Sequence, residues 1–155
     1  MPSSAERTSS APRRQFDILV RTLAERYGDD AREMAPAHWA FEVETGGGRS
    51  HVVHLFLHEH ASDALDASRL IASAPVGPVP TKLDCEGLLR RNARLDVGAI
   101  CVEDLRTDDG PAPFLTLRAT HLLVTAEFEE AWELVEQVAR VADALEKDLF
   151  VHDVF

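Results

Sequence analysis

Cysteine is nearly missing from this chain: two residues in 155, Cys85 and Cys101. They form neither a C-x-x-C pair nor a spaced framework, so a disulfide scaffold is excluded. Each sits among apolar neighbours, which predicts two buried free thiols. Positive charge is also in short supply. Sixteen Lys and Arg face 27 Asp and Glu, a formal net charge of −11. Such a surface repels phosphate backbones and anionic membranes, which argues against nucleic acid as a partner and suits a basic or amphipathic segment. No apolar run approaches the ~18 residues that a membrane-spanning helix needs. The opening MPSSAERTSSAPRR has no apolar stretch of the kind a secretory signal carries. Its Ser, Pro and Arg predict a disordered tail and a cytoplasmic chain. There is no G-x-S-x-G, Walker loop or H-E-x-x-H, and Gly46-Gly47-Gly48 lacks the Lys and helix a phosphate cradle requires. No enzyme and no cofactor are expected.

What is present is a set of periodic segments. Residues 15–27 carry Phe16, Leu19, Val20, Leu23 and Tyr27 at helical spacing, with Gly28 placed to end the helix. Residues 29–37 read as a linker, because Pro36 stops any helix. Trp39, Phe41 and Val43 alternate along a strand at 38–45. The three glycines turn the chain, and Val53, Leu55 and Leu57 mark a returning strand at 51–59. A loop at 60–67 precedes a weaker strand at 68–75, ended by Pro75, Pro78 and Pro80.

Thr81 reads as the cap of a second helix reaching about Ala93, with Gly87 inside it at a cost of about 1 kcal/mol relative to Ala. That cost suggests that another backbone approaches closely. Strands at 97–104 and 113–120 follow, joined through Asp109-Gly110. Thr125 caps a final helix with one apolar face, Phe128, Ala131, Trp132, Val135, Val138, Ala139, Ala142, Leu145 and Leu149. Its other face is acidic and reads as solvated: eight carboxylates, Asp143 and Glu146 among them, against Arg140 and Lys147. The order α-β-β-β-α-β-β-α predicts an α+β fold, a five-stranded antiparallel twisted sheet packed by the terminal helices. Residues 15–150 make one domain, between tails at 1–14 and 151–155.

The histidines of SHVVHLFLHEH are the one metal-like cluster. His54, His58 and His60 share a strand parity and His51 opposes them. Residues i and i+4 of a strand lie ~13 Å apart, too far for one ion with ligands at ~2 Å. They read as polar residues of an exposed sheet face; a metal-dependent enzyme is the minor alternative.

The stretch LLRRNARLDVGAICVED, with PFLTLRATHLL and the closing EFEEAWELVEQVARVADALEKDLF, resembles the class I type III secretion chaperones and the YbjN-like proteins of the same fold. The resemblance lies in the "LL..NA.L..GA" junction, the "L.LR...L" strand and the final amphipathic helix. It implies a homodimer without ATP dependence that holds an extended segment of a client or effector protein. It implies further that Gly87, Leu88, Leu89, Asn92 and Ala93, with Ile100 and Val102 of the next strand, form the dimer interface. Val52, Phe56 and Ile71, apolar residues on the outward face of the first strands, would be the client surface. A YbjN-like regulatory module acting through folded partners is the other role the resemblance implies. The Ser/Pro-rich tail, the 60–67 loop and the histidine strand are not features of that family.

Overall fold

A computed structural model describes residues 10–59 and 65–151. The elements run α1 (Ala11–Tyr27), β1 (Ala31–Ala35), β2 (His38–Gly46), β3 (Arg49–His58), β4 (Arg69–Pro78), α2 (Cys85–Asn92), β5 (Ala99–Thr107), β6 (Gly110–Leu122) and α3 (Phe128–Glu146), closed by a π-turn (Lys147–Val151). The fold is α+β, as expected. The strands form one antiparallel sheet in the order β1-β2-β3-β4-β6-β5.

The sheet has six strands where the sequence predicts five. The extra strand is β1, in the segment read as a linker. Pro36 does stop a helix there, but it does so inside a two-residue turn whose second position, Ala37, has φ 61°. Ala35 pairs with His38 across that turn, and Leu57 N donates to Ala37 O at 3.1 Å. Four of the five β1 side chains are exposed. An edge strand with no buried side leaves no alternation to read.

The helix boundaries also move. α1 begins at Ala11, inside the segment expected to be a disordered tail. Ser10 caps it, accepting from Arg13 N at 3.2 Å, and Pro12 sits in the first turn, where its missing N–H costs nothing. Residues 1–9 and 152–155 of the expected tails, and most of the 60–67 loop, lie outside the described residues. The cap of α2 is Asp84, not Thr81; its carboxylate accepts from Gly87 N at 2.9 Å. The cap of α3 is Glu127, not Thr125. Its N–H donates to Glu130 at 3.1 Å, while Thr125 ends a short 3-10 turn.

β4 runs on through Pro75 to Pro78. A central strand tolerates proline only where the ladder is interrupted, and the β4–β6 register shifts between Pro75 and Gly77. The Pro75 carbonyl accepts from His51 Nε2 at 2.6 Å. At Gly77 a Cβ would strike the Phe150 ring, so the glycine admits the π-turn against the sheet.

All the described helices lie on one face of the sheet. Phe16, Leu19, Val20 and Leu23 of α1 join Val135, Val138 and Ala142 of α3 in one core with the inward residues of the strands. Each large side chain buried there contributes about 1.5–3 kcal/mol. α2 adds half-buried Leu88 at the margin. The other face carries no helix among the described residues. No described helix is long and apolar enough to cross a membrane.

Candidate functional site

The open face follows from strand parity. Residues alternate sides, so the positions between the core residues point away from the helices. They put His38 on β2, His54 and Phe56 on β3, Ser73 and Pro75 on β4, Thr116 and Arg118 on β6, and Glu103 and Leu105 on β5. A groove of about 230 Å³ crosses this face, lined in part by Phe56, Pro75 and Leu105. Its polar wall is centred on Glu103. One carboxylate oxygen accepts from Ser73 Oγ at 3.0 Å and Thr116 Oγ1 at 2.7 Å; the other accepts from Arg118 Nη1 at 2.7 Å. Arg118 also lies 5.7 Å from the centre of the Phe56 ring. With three donors satisfied, Glu103 is fixed in place, and Phe56, Pro75 and Leu105 form the apolar part of the lining. Cys101 lies beside it, half-buried, and burial followed by the Glu103 charge pushes its thiol above the ordinary range. A thiol so raised stays protonated at neutral pH and is a poor nucleophile.

At the other end of the groove His38 and His54 meet, Nε2 to Nδ1, at 2.9 Å. One ring must donate and the other accept, so the bond needs at least one neutral imidazole. Burial lowers the pKa of both rings. For His54 the charge on His38 and then that on Arg32 lower it further. A depressed histidine contributes stability that is complete above its unfolded value of 6.5 and lost as pH falls through the folded value. The wild-type urea midpoint should therefore drop between pH 7.5 and pH 5.5. In His54→Gln, which keeps a polar partner for His38 but cannot titrate, that drop should shrink by half or more. An unchanged drop would remove the pair as its source.

Of the residues expected to form the client surface, Val52 and Phe56 are half-buried on the open face. Phe56 lines the groove; Val52 pairs with Glu42 further along the hairpin. Ile71 corrects the expectation of exposure: it lies on the same face but is only 4% exposed. Its place on a central strand, between Phe56 and Thr120, closes it off.

The residues expected at the dimer interface divide. Leu89 and Val102 are 69% and 56% exposed, and Ala93 is exposed. Leu88 packs inward against the core, and Ile100 is buried. Asn92 is engaged within the chain: its Oδ1 accepts from Ile100 N at 2.7 Å and its Nδ2 donates to Ile100 O at 3.2 Å. That clamp fixes α2 against β5. Gly87 has a local reason to be glycine, since a Cβ there would collide with the capping carboxylate of Asp84. Cys85, expected to be buried, is exposed, because α2 turns it away from the sheet.

A second cluster joins β3 to α3. His51, Asp143 and Glu146 bring potential ligand atoms within 4.8 Å of one another. Arg49 Nε and Lys147 Nζ hold the two oxygens of Asp143 at 2.7 Å each, and Arg49 Nη2 reaches Glu146 at 3.0 Å. Two carboxylates are thus matched by two cations, which makes an ion-pair network rather than an anionic cage. Asp143, expected on a solvated face, is buried within it. His54 and His58 join no three-residue ligand group among the described residues, and His60 lies outside them.

Sequence reasoning missed the His38–His54 pair although its signal was present. With the three glycines setting the hairpin, His38 falls opposite Phe56 and Ala40 opposite His54, on outward positions. Glu103, Arg118 and Asp143 carried no comparable signal, because their partners are distant in the chain. No family model matches the sequence, and no curated protein matches it.

Proposed function

We propose that this is a homodimeric, cytoplasmic, ATP-independent binding protein that holds an extended segment of a client protein, on the pattern of the class I type III secretion chaperones it resembles. The observation that carries this reading is the sheet face that no described helix covers, with an apolar-floored groove beside Phe56. The outer edges of β1 and β5 have no neighbour among the described strands. An extended segment gains affinity from strand addition at such an edge and specificity from side-chain pockets. The dimer edge of this reading is Leu89 of α2 with Val102 of the edge strand β5, both exposed. A long edge strand left bare invites pairing.

Light scattering tests the first half. The wild type should weigh twice the 17.1 kDa of one chain, and Leu89→Glu/Val102→Glu should weigh one chain with its melting temperature little changed. Reduced, carboxymethylated α-lactalbumin, a permanently unfolded chain, tests the second. The protein should bind it without ATP, and Phe56→Asp should weaken that binding roughly tenfold. A wild-type monomer, or no binding of the unfolded chain, would falsify the reading.

A further inference from the structure

The net charge of −11 conceals a local inversion. Gly87, Arg90 and Arg91 lie on the side of α2 that faces α3, and Arg94 follows in the turn after the helix. Across from them stand Arg140 and Asp148, and the groove between measures about 680 Å³. Its lining holds four arginines and a single acid, Asp148. Asp148 is already paired, to Arg91 Nη1 at 3.0 Å. Arg90 holds Glu86 in a solvent-exposed pair, and Arg140 approaches Glu136 only to 3.9 Å. Arg94 has no charged partner among the described residues. Between the arginines the floor is apolar, made by Leu95, Val141 and Leu145.

Cations around an apolar floor are complementary to carboxylates around apolar anchors. We propose that the α2–α3 groove docks an acidic amphipathic helix of a partner protein, its acids on the arginine rim and its apolar side chains on Leu95, Val141 and Leu145. The overall charge alone points to a basic partner; the groove selects the opposite. A polyanion without apolar groups is a poor fit. It would leave the floor uncovered and meet the repulsion of the whole chain. Leu89 and Val102, the exposed pair of the proposed dimer edge, are not among the residues that line this groove. The inference rests on reading the protein as a binder of polypeptide segments, but it uses a different surface from the sheet face.

The test uses a fluorescein-labelled helical peptide of Glu and Leu, with leucines at i, i+4 spacing, and two controls: Lys replacing Glu, and Ser replacing Leu. The wild type should bind the Glu–Leu peptide and neither control, more weakly as salt rises. Arg94→Glu/Arg140→Glu alters exposed side chains and should melt as the wild type does. It should lose roughly tenfold in affinity for the Glu–Leu peptide and gain affinity for the Lys–Leu peptide. Phe56→Asp should bind the Glu–Leu peptide normally, even though it loses the unfolded chain, so the two readings can fail separately. Equal binding of the Ser control would reduce the groove to an anion attractor and overturn the proposal. So would loss of binding in Phe56→Asp, or a changed oligomeric mass in the arginine variant.

Discussion

Gly98→Ala should lower the stability of this protein by about 3 kcal/mol, a fall of roughly 6–12 °C in Tm for a chain of this length. Gly98 has φ 68° and stands one residue before β5. An L-residue held there pays about 1–2 kcal/mol in backbone strain alone. The larger part is steric. A Cβ would lie 2.6 Å from the carbonyl oxygen of Arg118 and 3.0 Å from its carbon, both backbone atoms of β6. No side-chain rotation relieves that contact, so β5 must move away from β6. The movement strains the Ala99–Arg118 pairing and then the Asn92 clamp on Ile100. Gly47→Ala supplies the control within the same protein. Gly47 has φ 63°, but a Cβ there meets nothing within 4 Å. It should cost about 1 kcal/mol, the strain without the clash. Urea denaturation of the two variants separates the terms. Equal losses would show that the approach of β6 to Gly98 carries no energy.

That glycine belongs to the LL..NA.L..GA junction, and the structure gives the junction a physical content. α2, the Asn92 clamp and Gly98 deliver the chain from the helix to the sheet edge. The elements legible in advance were those whose own side chains divide cleanly between water and core. α3 is one, with Val135, Val138 and Ala142 fully buried along one stripe. The β2–β3 hairpin is another, with Phe41, Val43, Val53 and Leu55 facing inward. What escaped was decided by partners remote in sequence. β1 exists because His38–Phe41 offers it a ladder, not because its own residues seek burial. Thr81 and Asp84 are both acceptable caps; the nearby Gly87 N–H, with no side chain in the way, settles the choice. Arg90, Arg91 and Arg94 look like a solvated helical turn until α3 sets Arg140 opposite them. Composition averages over such local runs of one sign, so a net charge of −11 does not report the four arginines that line this groove.

Asp143→Asn should cost about 2 kcal/mol at pH 7, or roughly 4–8 °C in Tm. The carboxylate is only 6% exposed, whereas its partners Arg49 and Lys147 are 42% and 47% exposed. Breaking a fully buried pair costs about 3–5 kcal/mol, because the surviving charge has no solvent. Here both cations can turn to water, so the loss is smaller. It is still well above the median for surface pairs, because Asp143 joins α3 to both β3 and the π-turn. The hydrogen bond from Lys147, then that from Arg49, holds its carboxyl below the usual value of 3.8 against the opposing effect of burial. A depressed carboxylate contributes stability above its unfolded pKa and loses it as pH falls through the folded one. The gap between wild type and Asp143→Asn should therefore be constant from neutral pH down to about 4 and close below it. Glu86→Gln removes an ion pair whose members are both 75% exposed. It should lower Tm by no more than about 1–2 °C, since exposed pairs of this kind contribute about 0.3–0.5 kcal/mol. The contrast places the acid sensitivity of the fold at the α3–β3 joint. If Asp143→Asn and Glu86→Gln gave the same pH profile, the network would be surface decoration, and the docking of α3 would rest on its apolar stripe alone.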